Sequence, residues 1–287
     1  MPATPQVGRL DHVGHPDEPR FTPRTPRVVA ARRLHRRRER EATGRFLAEG
    51  PQAVGEALDA PGVVAELFGT PAALDRYAEL TASAARTGVP ISPLTDDALA
   101  ALTETVAPQG LVAVCQRVDV PLRAALDRAP RLVTVLAAIR DPGNAGTVLR
   151  TADAAGAGAV VFAGDAVDPY NGKCVRASAG SLFHVDVVRV AEPAEMVAAL
   201  RAAGLAVLAA SGHGETDLDE LADRGGLDRP TAWLFGSEAH GLPAALAEAA
   251  DARVRVPLHG RAESLNLAAA AAVCLYASAR ALRPGRV

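Results

Sequence analysis

The 287-residue chain has few aromatic residues, one lysine and little cysteine, and each scarcity limits what it can be. With aromatics at 3%, its cores must be built from alanine, valine and leucine. Lys173 is the only lysine, so arginine must fill every other cationic role. Cys115, Cys174 and Cys274 show no paired spacing. This pattern predicts neither a disulfide framework nor a zinc site, and it fits a reducing cytoplasm.

Membrane and export signals are also missing from the printed sequence. The alanine-rich run at residues 267–277 is shorter than the roughly 18 apolar residues that a membrane helix needs. The N-terminal residues lack the apolar core of a signal peptide. We therefore expect a cytoplasmic protein that has no membrane segment.

The charge is unevenly distributed along the chain. Residues 1–45 hold 11 arginines against five acidic residues, a net charge of +6. Because the whole chain has a net charge of −2, the remaining residues have a net charge of −8. A basic N-terminal part on an acidic body predicts a polyanionic partner. A solvated basic arm without a partner would produce the same pattern.

The succession of patterns predicts four parts. Residues 1–26 are rich in proline and poor in large apolar side chains, which is typical of a disordered tail. Residues 27–118 alternate predicted helices and strands and form a small α/β domain. Residues 119–130 read as a linker with some helix. Residues 131–287 repeat strand and helix, which predicts a parallel sheet covered by helices.

The first domain is predicted to contain a helix over residues 27–41, a turn and helix over 46–58, and a helix over 72–86. The second is predicted to contain strands over 132–136, 158–163, 206–210, 231–235 and 254–256, with a helix over 146–155 and an alanine-rich helix from 267.

Three polar segments follow predicted strands of the second domain. They are residues 139–150 with Asn144 and Arg150, residues 233–243 with Gly236 and Glu238, and residues 256–266 with Ser264 and Asn266. Because ligands of open α/β sheets bind at the carboxyl ends of strands, the three segments predict one site. Each also has a plainer explanation: a turn, a helix start with a favourable carboxylate, or a helix cap.

Several common sites are not supported by these segments. None is a phosphate-binding P-loop, and no Gly-x-Gly-x-x-Gly follows a strand, so a nucleotide cofactor of the usual kind has little support. Gly236-Ser237-Glu238 is not the Gly-x-Ser-x-Gly of serine hydrolases.

Taken in order, the three segments resemble the SpoU family of RNA ribose methyltransferases, which belongs to the knotted SPOUT superfamily. The matching motifs are Asn144-x-Gly146 with Arg150, residues 234–238, residues 256–258 and residues 263–266, and the resemblance covers residues 131–280. Residues 173–181 also look like the family. Residues 45–50 and 109–114 are similar to its substrate-binding domain, which has an L30-like fold.

The resemblance implies an α/β protein in which a small L30-like domain precedes a parallel-sheet domain with a deep trefoil knot. It implies S-adenosylmethionine as cofactor, RNA as substrate, a homodimer through the knotted domain, and no metal. The implied catalytic residues are Arg150, Asn144, Glu238, Ser264 and Asn266. The implied cofactor-binding residues are Ala210, Leu234, Gly236, Val256, Leu258 and Leu265.

The implied activity is methylation of a ribose 2′-hydroxyl. An L30-like domain favours 23S rRNA over tRNA, and a silent RNA-binding or ribosome-assembly protein is the alternative from another class. The abundance of alanine, glycine and proline, with arginine in place of lysine, indicates a GC-rich coding bias. Such a bias also fits self-resistance methyltransferases of antibiotic producers, including the avilamycin-resistance type. RNA contacts are expected from the arginine run at residues 32–40, from Lys173 and from Arg176. The full set is Arg32, Arg33, Arg36, Arg37, Arg38, Lys173 and Arg176.

Overall fold

The computed structural model describes residues 20–237 and 239–283, and it contains a four-stranded and a seven-stranded sheet. The strands are β1 Arg45–Glu49, β2 Val64–Gly69, β3 Ile91–Pro93, β4 Leu111–Gln116, β5 Leu132–Ala137, β6 Ala159–Ala163, β7 Asp186–Val190, β8 Ala206–Ala210, β9 Thr216–Asp217, β10 Thr231–Phe235 and β11 Ala252–Arg255. The helices are α1 Pro26–Arg33, α2 Arg37–Thr43, α3 Pro51–Asp59, α4 Pro71–Arg76, α5 Ala78–Arg86, α6 Asp96–Leu102, α7 Leu122–Leu126, α8 Pro142–Ala154, α9 Gly172–Ser178, α10 Pro193–Ala202, α11 Leu218–Asp223, α12 Ala244–Ala249 and α13 Leu267–Ala281. Within the described ranges, no helix is long and apolar enough to cross a membrane.

The first sheet has the order β1-β4-β2-β3, with β4 antiparallel to both of its neighbours. Its strands alternate apolar side chains between two faces, as the period of two along a strand requires. Leu47 and Phe68 pack against Val28 of α1 on one face, whereas Phe46 lies in the core with Val54 of α3 on the other. The sheet is therefore covered on both sides.

The second sheet has the order β7-β6-β5-β10-β8-β11-β9, and all of its neighbouring strands are parallel. Parallel sheets are covered on both faces, so their strands read as continuous apolar runs. The five residues of β10 are all buried, and they include Trp233, whose indole N–H donates to Ser278 Oγ at 2.8 Å. This arrangement confirms the predicted α/β class.

Two predictions in the first domain were wrong. Arg45–Glu49 is a strand where a turn was expected, because its pairing with β4 links residues some seventy positions apart and leaves no local signal. The helix expected over residues 27–41 breaks between α1 and α2. The Arg40 guanidinium donates to the backbone carbonyls of Leu34 and His35 at 2.8 and 2.9 Å, which stabilises the break.

Other boundaries also differ from the prediction. The helix expected over 72–86 breaks at Tyr77, and α9 and β7 were not predicted. The end of the tail predicted over residues 1–26 is ordered instead, because Phe21 is half-buried and its N–H donates to the Pro93 carbonyl at 2.7 Å. Residues 1–19 lie outside the described residues.

A buried ion pair joins the N-terminal helices to the second sheet. Arg40 and Asp168 have side chains that are only 4% and 5% exposed, and the guanidinium Nε and Nη2 each lie 2.8 Å from Asp168 Oδ2. The other oxygen of Asp168 accepts the backbone N–H of Tyr170 at 3.0 Å. One guanidinium therefore binds both the α1–α2 break and the loop that leads into α9.

Tyr170 extends this junction. Its ring packs 4.7 Å from that of Phe46 in β1, and its hydroxyl donates to Asp119 and accepts the N–H of Val118. His184 makes a second link, with its two ring nitrogens 2.8 Å from Asp153 and 2.9 Å from Glu56.

Those two carboxylates raise the pKa of His184 above its ordinary 6.5. The link is therefore fully formed below pH 6.5 and weakens as pH rises through the raised pKa.

We expect Arg40→Gln to lower the free energy of unfolding by about 3–5 kcal/mol, because it leaves Asp168 buried without its partner. Denaturant unfolding at pH 7 measures the change. Arg37→Gln is the matched control, since Arg37 pairs with Glu41 in solvent and should cost less than about 1 kcal/mol. Equal unfolding midpoints for the two variants would contradict a structural role for the Arg40–Asp168 pair.

Candidate active site

The three polar segments follow β5, β10 and β11, and the site predicted from them lies where these strands and β8 end, because β5 is the other neighbour of β10. β8 lies between β10 and β11, with Leu234 level with Ala209 and Val254 level with Ala210. Because these strands are parallel, their carboxyl ends meet at one edge of the sheet. Four of the six predicted cofactor residues, Ala210, Leu234, Gly236 and Val256, are therefore placed within about two residues of this edge.

Gly236 is required here because the chain folds back against it. Ser237 and Gly241 exchange two backbone hydrogen bonds of 3.0 and 2.8 Å, which closes a tight loop. A Cβ on Gly236 would lie 2.1 Å from the carbonyl carbon of Gly241, so no other residue fits without moving the backbone. Glu238, a predicted catalytic residue, lies within this loop but outside the described residues.

The segment between β11 and α13 has surface open to a ligand. Leu258 and Leu265 are 40% and 39% exposed, which is unusual for large apolar side chains in the described part of the chain. Residues 258–265 make no hydrogen bond with other described residues, so their backbone N–H and C=O groups are available. An adenosyl group needs such apolar contact and backbone partners, so these residues fit the predicted cofactor.

Asn266 connects this segment to the first polar segment. Its Oδ1 caps α13 by accepting the N–H groups of Ala268 and Ala269, at 2.9 and 3.4 Å. Its Nδ2 donates to Oδ1 of Asn144 at 3.4 Å. The helix-cap explanation for Asn266 is therefore confirmed, and the same amide group also contacts Asn144, which leaves its predicted place in the site open.

The first turn of α8 is built around Asp141. This residue caps the helix, accepting the N–H of Asn144 at 2.7 Å through one oxygen and binding the Lys173 ammonium at 2.7 Å through the other. These hydrogen bonds, the Lys173 one above all, lower the pKa of Asp141. Sequence reasoning overlooked Asp141, although Asp followed by Pro is a helix-start signal. Lys173 thus has a structural partner as well as an exposed side chain.

Gly146 allows α8 and α9 to pack closely. A Cβ there would lie 2.3 Å from the carbonyl oxygen of Cys174. Arg150 lies on the exposed face of α8, and it makes no hydrogen bond or ion pair with another described residue. Ser264 is likewise exposed and makes no hydrogen bond within the described chain.

The predicted RNA-contacting residues fall into two groups. One group is exposed on α1, on α2 or between them, and consists of Arg32, Arg33, Arg36, Arg37 and Arg38. In contrast, Arg176 is 28% exposed and lies 3.1 Å from Glu49 and 3.3 Å from Glu104. The arginine run also includes Arg40, which is buried and faces the protein. The structure thus separates the run into a surface set and one structural arginine.

The pattern of ionisable groups does not suggest a metal centre. No cluster of three or more His, Cys, Asp or Glu side chains in the described ranges is arranged to hold a metal ion. Cys115, Cys174 and Cys274 are all free and buried.

Two family models together match most of the chain. The SpoU rRNA Methylase family model matches residues 131–276, and the model of an MRM3-like substrate binding domain matches residues 25–113. The first match spans about half of the chain and contains the three polar segments.

Relatives match over nearly the whole length. The chain is 39% identical to the 23S rRNA (guanosine(2553)-2′-O)-methyltransferase RlmP of Bacillus subtilis, over 85% of this chain and 92% of that protein. It is 35% identical to the 23S rRNA (uridine(2479)-2′-O)-methyltransferase of Streptomyces viridochromogenes, over 88% of both. It is also similar to the AdoMet-bound rRNA methyltransferase from Sinorhizobium meliloti, with a TM-score of 0.78 and 31% identity over 90% of this chain and 96% of the other.

These matches confirm the resemblance predicted from the motifs. The sheet order, the grouping of the three segments at one edge, and the length of the match all agree. The protein belongs to the SpoU rRNA methylase family.

Proposed function

We propose that this protein transfers a methyl group from S-adenosylmethionine to a ribose 2′-hydroxyl of 23S rRNA. The observation that carries the proposal is the contact between Asn144 and Asn266, which joins two motifs beside the converging strand ends. By their names, the two relatives above methylate a ribose 2′-oxygen of 23S rRNA, one at guanosine 2553 and the other at uridine 2479. Both match most of this chain. Such a reaction takes place in the cytoplasm, where ribosomes are assembled.

The residues that hold the cofactor are Ala210, Leu234, Gly236, Val256, Leu258 and Leu265. When bound, S-adenosylmethionine supplies a methyl group that its sulfonium already activates. The backbone of residues 256–265 binds its polar groups, while the two exposed leucines cover apolar surface. The protein's main task is then alignment of the acceptor oxygen, which can contribute roughly 7–11 kcal/mol.

Arg150 binds the phosphate beside the target ribose and orients the hydroxyl. We prefer this role to that of a general base, because a guanidinium keeps its proton throughout the accessible pH range. A planar guanidinium can also bind two phosphate oxygens at once. The proton leaves through water or a neighbouring polar group. Once RNA is bound, Asn144, Glu238, Ser264 and Asn266 form hydrogen bonds that position Arg150 and the ribose.

The exposed arginines of α1 and α2 contact RNA phosphates, together with Lys173, and Arg176 is a further RNA contact. Contacts of this kind make affinity fall steeply as salt concentration rises. Few aromatic side chains accompany the arginine run, so recognition by phosphate position and shape is favoured over base stacking there.

We further propose a homodimer formed through the second sheet domain. One face of α13 presents Ala269, Val273, Tyr276 and Arg280 to solvent, and the valine and tyrosine are 43% and 52% exposed. These four residues lie at the spacing of a single helix face. Arg150 lies on α8, which packs beside α13, and it reaches the partner's cofactor site across this interface.

The deep trefoil knot belongs to the same proposal. β10 enters between β5 and β8, and β11 enters between β8 and β9, although their flanking strands come earlier in the chain. The chain must therefore return twice to insert a strand between two strands that were formed from earlier parts of the sequence. Threaded chains are very rare in proteins, and the insertion of late strands between earlier ones is compatible with threading.

Transfer RNA is the alternative substrate, and a silent RNA-binding protein is the alternative without chemistry. Self-resistance to a ribosome-targeting antibiotic is a narrower proposal. The methylated position decides between self-resistance and a housekeeping role.

Incubation with labelled S-adenosylmethionine should label the ribose of undermethylated 23S rRNA and leave bulk tRNA unlabelled. Mass spectrometry of nuclease digests locates the 2′-O-methyl group. Label in tRNA alone would contradict the rRNA proposal. Cofactor binding in calorimetry without transfer to either RNA would identify the silent binding protein.

Asn266→Asp separates the helix cap from the catalytic contact. The carboxylate still caps α13, so the free energy of unfolding should change by less than about 1 kcal/mol. Methyl transfer should fall at least about tenfold, because two acceptor oxygens now face each other. Asn171→Asp is the control, since Asn171 caps α9 alone. Wild-type transfer by Asn266→Asp would limit Asn266 to capping.

Subunit complementation tests both the dimer and the placement of Arg150. Arg150→Ala and Gly236→Ala should each be inactive alone, the second because its Cβ displaces the loop at Gly241. A heterodimer of the two should regain roughly half of wild-type turnover, since one complete site forms across the interface. An inactive heterodimer would place Arg150 in its own subunit's site. A fully active monomer would overturn the dimer.

A further inference from the structure

A cleft of about 410 Å³ lies between the two sheet domains, away from the ends of β8, β10 and β11. Its walls come from the start of α3, from the loop at residues 103–109 and from α9. Binding sites for small organic groups have volumes of about 300–1,000 Å³, so the cleft could hold one such group. We call it the interdomain cleft.

Glu49 is a buried lining residue of the interdomain cleft, and its carboxylate binds groups from two of the cleft's walls. Its side chain is 7% exposed, and one oxygen accepts the N–H of Glu104 at 3.0 Å and Arg176 Nη1 at 3.1 Å. The other oxygen accepts the Thr105 hydroxyl at 2.8 Å. A single buried carboxylate therefore holds both the loop and the guanidinium in place.

Two glutamines give the cleft a capacity for recognition. Gln52 and Gln109 line it, and neither side chain has a hydrogen-bond partner among the residues that the structure describes. Gln109 Oε1 lies 3.1 Å from the position that a Cβ on Gly50 would take, so glycine leaves room for the amide. Each carboxamide offers two donor hydrogens and one acceptor oxygen, the combination that reads the edge of a nucleobase.

The charges of the cleft favour an uncharged group over a phosphate. Arg176 is balanced by Glu49, and Glu104 at the rim adds a further negative charge. The remaining lining includes apolar surface from Ala53, Pro108 and Leu111. Apolar walls, a guanidinium plane and unpaired amides together suit a flat base, which stacks on arginine and hydrogen-bonds at its edge.

Helix α9 connects the interdomain cleft to the proposed catalytic edge. Arg176 lies three residues after Lys173, about 4.5 Å along the helix. Lys173 binds Asp141, which caps the helix that carries Asn144. One RNA segment could therefore span both places.

We propose that the interdomain cleft binds one unpaired nucleobase of the RNA, close in sequence to the ribose that is methylated. This inference rests on the proposed RNA 2′-O-methylation. Gln52 and Gln109 read the base, and Arg176 stacks on it. The cleft thereby adds sequence selection to the phosphate contacts of the arginine run.

The kinetic test uses the 23S rRNA fragment that the wild-type protein methylates. The double variant Gln52→Ala/Gln109→Ala should raise KM for this RNA about tenfold, while kcat falls less than twofold. Gln116→Ala is the matched control, because this glutamine is at the other end of β4 and outside the cleft. An equal rise in KM for the control, or none for the double variant, would overturn the proposal.

Abasic substitutions identify the bound base. Removing each base in turn within three nucleotides of the target should reveal one position at which wild-type KM rises about tenfold. At that position the double variant should show no further loss. If the double variant and the missing base raise KM by independent factors that multiply at every position, the glutamines do not read a base. That result would also overturn the proposal.

A cross-linking experiment distinguishes failure of the cleft from failure of the proposed function. Single-stranded RNA of mixed sequence that contains 4-thiouridine should cross-link to the loop at 103–109 or to the start of α3, and the double variant should lose this cross-link. Methyl transfer without a cross-link there would overturn the cleft alone. The cross-link without transfer to any RNA would overturn the proposed function and leave the base-binding cleft standing.

Discussion

The parallel direction of all seven strands in the second sheet is the constraint on which the site depends. Parallel strands must end at the same edge, so the residues after β5, β10, β8 and β11 converge there, and among them are the start of α8 after β5 and the start of α13 after β11. The helices that follow then begin side by side. This is why Asn144 and Asn266, 122 positions apart in the chain, make a side-chain contact. The site consists of strand ends and helix starts, which rigid elements hold in place.

The junction between the sheets determines how RNA could be presented to that edge. Arg40 lies in an arginine run but faces inward, where it binds Asp168 and the carbonyls at the α1–α2 break. The other arginines of the run therefore have a defined orientation relative to the second sheet. Tyr170 and His184 add further links between the domains. Breaking a buried pair of this kind is costly, so the two domains should behave as one unit.

Sequence patterns were most reliable where structure is local. The strands β8 and β10 were predicted to the residue, because apolar runs mark them. The strand β1 was missed, since it depends on pairing with β4, and its Glu-Gly-Pro ending suggested a turn. The break between α1 and α2 was missed for a similar reason. Its carbonyls are satisfied by a guanidinium whose role no local pattern reveals.

The sequence by itself determined the fold class, the family and the three segments of the site, because their residue types and order are specific in combination. Only the tertiary structure decided how individual side chains are used. Arg40 and Arg38 look alike in sequence, yet Arg40 is buried beside Asp168, whereas Arg38 is exposed to solvent. Asn266 caps α13 and also contacts Asn144, because the oxygen and the nitrogen of its amide face different partners. Contacts between distant segments depend on packing, which a linear pattern does not encode.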